Sequence, residues 1–164
     1  MKKIVGRVFK YGDDINTDVI FPGKYTYTVT DPDEMARHAL EDLDPQFIHK
    51  VQPGDVVVAG KNFGCGSSRE QAAFALKYAQ VGGVIAASFA RIYYRNCINA
   101  GLPIIMSPEI SSALQTGDRV EIDFMAGVLK APAGRFTFPG LPREVLDIMQ
   151  AGGLVEYVKA HYGT

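Results

Sequence analysis

The stretch from Asp55 to Gln80 constrains the fold more than any other part of this 164-residue chain. Asp55-Val56-Val57-Val58-Ala59 is a short apolar run. Gly60-Lys61-Asn62-Phe63-Gly64-Cys65-Gly66-Ser67-Ser68-Arg69-Glu70 follows, and then an alanine-rich segment to Gln80. That order reads as strand, glycine loop and helix, with helical composition from Ser68 onward. Ala72, Ala73, Ala75, Leu76 and Ala79 make the helix apolar on more than one face, so it is expected to be buried.

The rest of the chain is read around this unit. Ile4 to Phe9 is a first strand, and Tyr11-Gly12-Asp13-Asp14 a turn. Lys24 to Thr30 is polar and aromatic but bracketed by Pro22-Gly23 and Asp31-Pro32, which predicts an exposed loop or short ribbon. Asp31, Pro32 and Glu34 predict a helix start, and the helix is expected to continue through Ala39 and Leu40. Val84 to Ala87 is a buried strand. Ser88 is placed to cap a helix over Phe89 to Ala100, and Gly101 to end it. Pro103 to Met106 is a short strand, and Pro108 to Leu114 a helix. Val120, Ile122 and Phe124 then alternate with Arg119, Glu121 and Asp123, as in a half-buried strand, and turns at Ala126-Gly127 and Pro132 to Gly134 extend it into a meander. Arg143 to Tyr162 is helical, with a break at Gly152-Gly153. Alternating strands and helices followed by hairpins predict one compact α/β domain over residues 1–164, with a mixed sheet or barrel.

Composition narrows the function. The chain carries 17 basic and 18 acidic residues, which gives no electrostatic footprint for nucleic acid or an anionic membrane. No apolar run is long enough to span a bilayer, and Ile4 to Phe9 is interrupted by Gly6 and Arg7, unlike the core of a signal peptide. A cytoplasmic protein is expected. The two cysteines, Cys65 and Cys97, are too few to ligate an iron–sulfur cluster unaided. His38, His49 and His161 lack helical metal spacing, so no metal site is expected in the chain.

The glycine loop fails the familiar phosphate motifs. Gly64-x-Gly66 is followed by Arg69 where a dinucleotide fingerprint needs a third glycine, and Asp55 stands where a P-loop needs its first. The sequence around Ser67 is not a G-x-S-x-G elbow, and no histidine lies in an obvious partner motif. Two readings remain. Ser67 and Glu70 fit a capping box, with the glycines making a tight turn. Arg69, however, would sit in the first turn against the helix dipole, which suggests an anion between it and the helix terminus. Its planar fork suits a carboxylate. A helix terminus supplies at most about 2 kcal/mol, or roughly 1.5 pKa units, to a serine hydroxyl. That does not make a useful base, so the extra positive charge has to come from a metal or cluster on a partner.

Three segments together, Asn62 to Glu70, Ser88-Phe89-Ala90-Arg91-Ile92 and Asp13-Asp14-Ile15-Asn16-Thr17-Asp18, closely resemble the small subunits of the 3-isopropylmalate dehydratases. These correspond to the mobile swivel domain of the aconitase superfamily, and the resemblance covers essentially the whole chain. It implies a three-layer β/β/α swivelling domain. It also implies a hydro-lyase that isomerises 2- and 3-isopropylmalate in leucine biosynthesis, active only with a large subunit that carries a [4Fe–4S] cluster. Self-association of the small subunit is compatible with it. By motif match, Ser67 is the catalytic base, and Arg69, Ser68 and Gly66 bind a substrate carboxylate. Asp18 falls at the Thr-Asp position near the active site. Lys24, Tyr25, Thr26, Tyr27 and Thr28 form the loop that sets substrate preference. Relatives that take an extra carboxylate resemble one another in having an arginine there; its absence favours an apolar substituent. The alternatives are the small subunit of a homoaconitase or related 2-hydroxy-acid dehydratase, and a carboxylate-binding regulatory module without catalysis.

Overall fold

The computed structural model describes residues 3–163. In chain order it contains β1 (Ile4–Lys10), α1 (Thr17–Ile20), α2 (Pro32–Arg37), α3 (Phe47–Lys50), β2 (Val56–Ala59), α4 (Gln71–Tyr78), β3 (Gly83–Ala86) and α5 (Arg91–Ala100). These are followed by β4 (Ile104–Met106), α6 (Pro108–Ala113), β5 (Arg119–Asp123), β6 (Val128–Ala131), β7 (Gly134–Thr137), α7 (Arg143–Ala151) and α8 (Leu154–Tyr162). One seven-stranded sheet runs in the order β4-β3-β2-β1-β5-β6-β7. Strands β1 to β4 are parallel neighbours, whereas β1, β5, β6 and β7 pair antiparallel. β1 joins the halves by pairing Val8–Lys10 with β2 and Ile4–Arg7 with β5.

Strand periodicity sorts the core into two layers. Val57 and Ala59 of β2, Val84 and Ala86 of β3 and Ile104 of β4 face a cluster built with Ala72, Ala73, Leu76, Tyr93 and Cys97 of the helices. Val56, Val58, Ile85 and Ile105 face the other way, onto Val120, Ile122 and Leu129 of the antiparallel half. The sheet therefore curls over itself and gives sheet, sheet and helix layers. A Cβ on Gly83 would lie 3.5 Å from the Phe124 ring. β2 and β3 are buried on both faces and read as continuous apolar runs. β5 alternates because only one of its faces is covered.

Several local expectations are met. Asp31 accepts the Glu34 N–H at 3.1 Å, and Gly101 ends α5 in the left-handed conformation with φ 79°. Others are corrected. α2 ends at Arg37, because Leu40 turns out at φ 56° and donates its N–H to Ile20 O at 2.8 Å. Residues 24–30 take the loop alternative of their expectation, not the ribbon, and Gly23–Tyr25 within it is a 3-10 turn. α5 starts at Arg91 with Ala90 as its cap, not Ser88. The Ser88 hydroxyl instead accepts the Asn62 N–H at 2.8 Å. No helix among the described residues is long and apolar enough to cross a membrane.

Candidate active site

The glycine loop is held on both sides by the two other motif segments. On one side Gly64 N–H donates to Ile15 O at 2.7 Å, Thr17 N–H to Cys65 O at 2.9 Å and the Thr17 hydroxyl to Ser67 O at 2.7 Å. On the other, Phe63 N–H donates to Ser88 O at 3.0 Å and Ala90 N–H to Phe63 O at 2.9 Å. Asp13 and Asp14 complete the frame by accepting the Lys61 N–H at 2.7 Å and the Asn62 side-chain amide at 3.1 Å. The three motifs, far apart in sequence, are thus one hydrogen-bonded unit. Gly64 has φ 84°, and a Cβ there would run into the Tyr93 ring, so the loop can pass only without a side chain.

The capping-box reading is not met. α4 begins at Gln71, Glu70 is its cap residue, and no side chain caps it. Ser67, Ser68 and Arg69 lie ahead of the helix, and both serines are exposed. Arg69 therefore does not oppose the dipole from within the first turn. Its anion is a neighbour in the same chain: Nη2 donates to Asp18 Oδ1 at 3.0 Å and to Phe21 O at 2.7 Å. Nη1 donates to the Thr26 hydroxyl at 2.9 Å, and Nε is buried without a partner. The Asp18 side chain is 67% exposed, so the ion pair is screened and contributes about 0.2–1 kcal/mol. The Arg69 side chain itself is 13% exposed and is held by all three bonds.

A cleft of about 270 Å³ opens beside the serines. Thr17, Gly66, Ser67, Ser68 and Arg69 line one side, and Arg91, Ile92, Tyr93 and Asn96 of α5 contribute to its wall. Asp18 and Thr26 reach the site through Arg69. Tyr25 is turned away, with its hydroxyl on Glu41 and its ring on His38. Lys24 Nζ lies 5.1 Å from the Tyr25 ring centroid, and Tyr27 is 94% exposed. Sequence reasoning missed Thr17 and Asn96. Thr17 is a buried polar residue inside Asn16-Thr17-Asp18, and its position in that motif was the available signal. Asn96 had none. A wider cleft of about 530 Å³, lined in part by Arg7, Lys50 and Arg119, contains no motif residue.

Cys65 is half-buried in the loop, whereas Cys97 is a core residue whose thiol burial pushes far above its ordinary pKa. Burial likewise raises the Tyr93 phenol, whose hydroxyl donates to Ala72 O at 3.2 Å. Among the described residues, no group of three His, Cys, Asp or Glu side chains is placed to hold a metal ion.

A curled mixed sheet presenting a serine–arginine glycine loop defines a class, and comparison with known proteins agrees. Residues 11–109 match the aconitase C-terminal domain, and the chain belongs to that family. It is 52% identical over 156 residues to the 3-isopropylmalate dehydratase small subunit of Caldicellulosiruptor bescii, covering 94% of this chain and 93% of that one. It is 48% identical over 160 residues to the 2,3-dimethylmalate dehydratase small subunit of Eubacterium barkeri, covering 96% and 98%. The crystal structure of a 3-isopropylmalate dehydratase from Methanocaldococcus jannaschii superposes with a TM-score of 0.86 at 46% identity, covering 98% of this chain and 96% of that one.

Proposed function

We propose that this chain is the small subunit of a hydro-lyase that isomerises 2- and 3-isopropylmalate in the cytoplasm, as a step of leucine biosynthesis. It acts as a single swivelling domain, with a large subunit as obligate partner. The observation that carries the reading is an exposed Ser67 two residues before a carboxylate-competent Arg69, both on one open cleft. Ser67, acting as its alkoxide, takes the proton alpha to a carboxylate; the neighbouring hydroxyl departs as the double bond forms, and water then adds back with its hydroxyl on the other carbon to give the isomer. Arg69, with Ser68 and the Gly66 backbone, holds that carboxylate. Asp18 orients the guanidinium. A [4Fe–4S] cluster, expected on the large subunit, supplies Lewis-acid chemistry at the departing hydroxyl. Ser67 precedes α4 by a full helical turn, so the helix terminus contributes less than the ~2 kcal/mol available within its first turn.

The alkyl-substituted dicarboxylate class is supported by the loop from Lys24 to Thr28, which contains no arginine, and by relatives named for isopropylmalate and dimethylmalate. The 2,3-dimethylmalate reading is the runner-up, on the strength of the Eubacterium barkeri relative. The test is reconstitution with a large subunit carrying the cluster. The chain alone is expected to be inactive, the complex active, and Ser67→Ala inactive with assembly intact. Full activity in that variant would remove Ser67 as the base. Turnover is compared on isopropylmalate, dimethylmalate and homocitrate. Preference for the tricarboxylate would overturn the reading of the loop.

A further inference from the structure

We infer that Tyr25, His38 and Glu41 form a positioning cluster that sets the loop from Gly23 to Val29, and through Thr26 the guanidinium of Arg69, for carboxylate binding. The inference rests on the reading of Arg69 as a substrate ligand. Glu41 is shared between two elements: one carboxylate oxygen meets His38 Nδ1 at 2.8 Å, and the other accepts the Tyr25 hydroxyl at 3.2 Å. The Tyr25 ring stacks on the His38 ring with centroids 3.9 Å apart and planes 21° from parallel. His38 is fixed in turn at the end of α2, where its backbone N–H caps the helix.

A histidine–glutamate pair three residues apart is ordinarily a local surface contact. Two features take this one further. The first is that Tyr25 is the hub of the loop. Its carbonyl accepts the Val29 N–H at 3.0 Å and the Thr28 N–H at 3.3 Å. Lys24, Tyr27 and Thr28 are exposed, and the loop's side-chain tethers to the body of the protein are Tyr25 on Glu41 and Thr26 on Arg69. The second is the next residue, Thr26, whose hydroxyl receives Arg69 Nη1 at 2.9 Å. A chain of direct contacts therefore runs from Glu41 through Tyr25 and Thr26 to the guanidinium. Lys24, Arg37 and His49 are the other charged or titratable groups around the cluster, Lys24 over the Tyr25 ring and the other two in the same cleft as His38 and Glu41. Small displacements of a binding group are costly to a reaction, which gives a supporting cluster of this kind leverage over the site.

The test uses Glu41→Ala, Glu41→Gln and Tyr25→Phe. Glutamine keeps a carbonyl acceptor for the Tyr25 hydroxyl, and phenylalanine keeps the ring stack but loses the hydroxyl. In the reconstituted enzyme, Glu41→Ala and Tyr25→Phe raise KM about tenfold, the scale of one lost charge-assisted hydrogen bond, and change kcat less. Glu41→Gln restores most of the loss. In the isolated chain, the ¹⁵N resonance of the buried Arg69 Nε–H shifts in the first two variants and returns in the third. An unmoved Arg69 resonance, or a KM equal to wild type in Glu41→Ala, overturns the proposal. If the wild-type complex turns over no hydroxy-dicarboxylate, the functional reading fails, and the Arg69 resonance still decides whether the cluster positions the guanidinium.

Discussion

Replacing Gly64 with alanine should cost far more than the same change two residues on, at Gly66. Both positions have positive φ, 84° and 91°, and that conformation costs an L-residue about 1–2 kcal/mol. At Gly66 little else is lost, because the nearest atoms to an added Cβ are Asn16 Cβ at 3.5 Å and Thr17 Oγ1 at 3.7 Å. At Gly64 the Cβ would overlap the Tyr93 ring. That ring is 2% exposed, packs edge-on to Phe63 with centroids 5.4 Å apart, and is tied through its hydroxyl to Ala72 O. It has nowhere to swing, so overpacking adds about 1–3 kcal/mol. The expected totals are about 2–5 kcal/mol for Gly64→Ala and about 1–2 kcal/mol for Gly66→Ala. For a chain of this size, each kcal/mol moves Tm by about 2–4 °C. Urea unfolding of the isolated chain, with equal m values, measures the difference. A Tyr93→Gly background removes the Tyr93 Cβ, Cγ and Cδ2 that stand in the way, and should shrink the Gly64→Ala penalty toward that of Gly66→Ala. Equal costs at the two glycines, or no relief in that background, would refute the claim that Tyr93 dictates the glycine.

Alkaline pH provides an independent check on the core. Burial holds the Cys97 thiol and the Tyr93 phenol protonated, and burial with the Asp44 carboxylate does the same for Tyr11. Below a thiol's ordinary pKa of about 8.5, folded and unfolded chains carry the same protons at these groups. Above it only the unfolded chain releases the Cys97 proton, so stability falls by up to about 1.4 kcal/mol per pH unit. A second, steeper fall begins near pH 10 as the tyrosines join. Urea midpoints from pH 7 to 11 should show both breaks, and Cys97→Ala should remove the first. Thr17→Val deletes the bond to Ser67 O and should cost about 1–2 kcal/mol in urea unfolding. Because that bond anchors the proposed base, kcat/KM of the reconstituted enzyme should fall by more than the roughly tenfold that such a free energy would give.

The fold was readable wherever a local pattern had one solution. The apolar run Val56–Ala59 could be satisfied only by burial on both faces, and Val120, Ile122 and Phe124 only by burial on one. Asp31 and Gly101 mark helix ends through their own backbone chemistry. The start of α4 was not readable in that way. Ser67 and Glu70 satisfy the capping-box spacing, but Thr17 holds Ser67 O, and Asp18, Phe21 and Thr26 draw the Arg69 side chain away from the helix. These partners lie 43 to 51 residues away in sequence. Ser88 was misread for the same reason, since its hydroxyl serves Asn62 across the loop. The three motifs carried chemical information as separate strings. That they form one hydrogen-bonded frame is a tertiary fact.

That frame bears on the proposal that a partner chain completes the site. Ser67 lies ahead of the helix terminus, and the guanidinium of Arg69 is turned to Asp18, Phe21 O and Thr26. If Ser67 is the base, its activation has to come from a partner chain, and turnover is then tied to assembly. The cleft must meanwhile remain open and keep its shape with no substrate inside. Backbone bonds from residues 15–17 and 88–90 provide that rigidity without any contact from the ligand. Among the large apolar side chains left exposed, Ile92 stands on the cleft wall at 53% exposed. If a second subunit packs over Ile92, it excludes water from the cleft, which would strengthen the arginine–carboxylate contact proposed for Arg69.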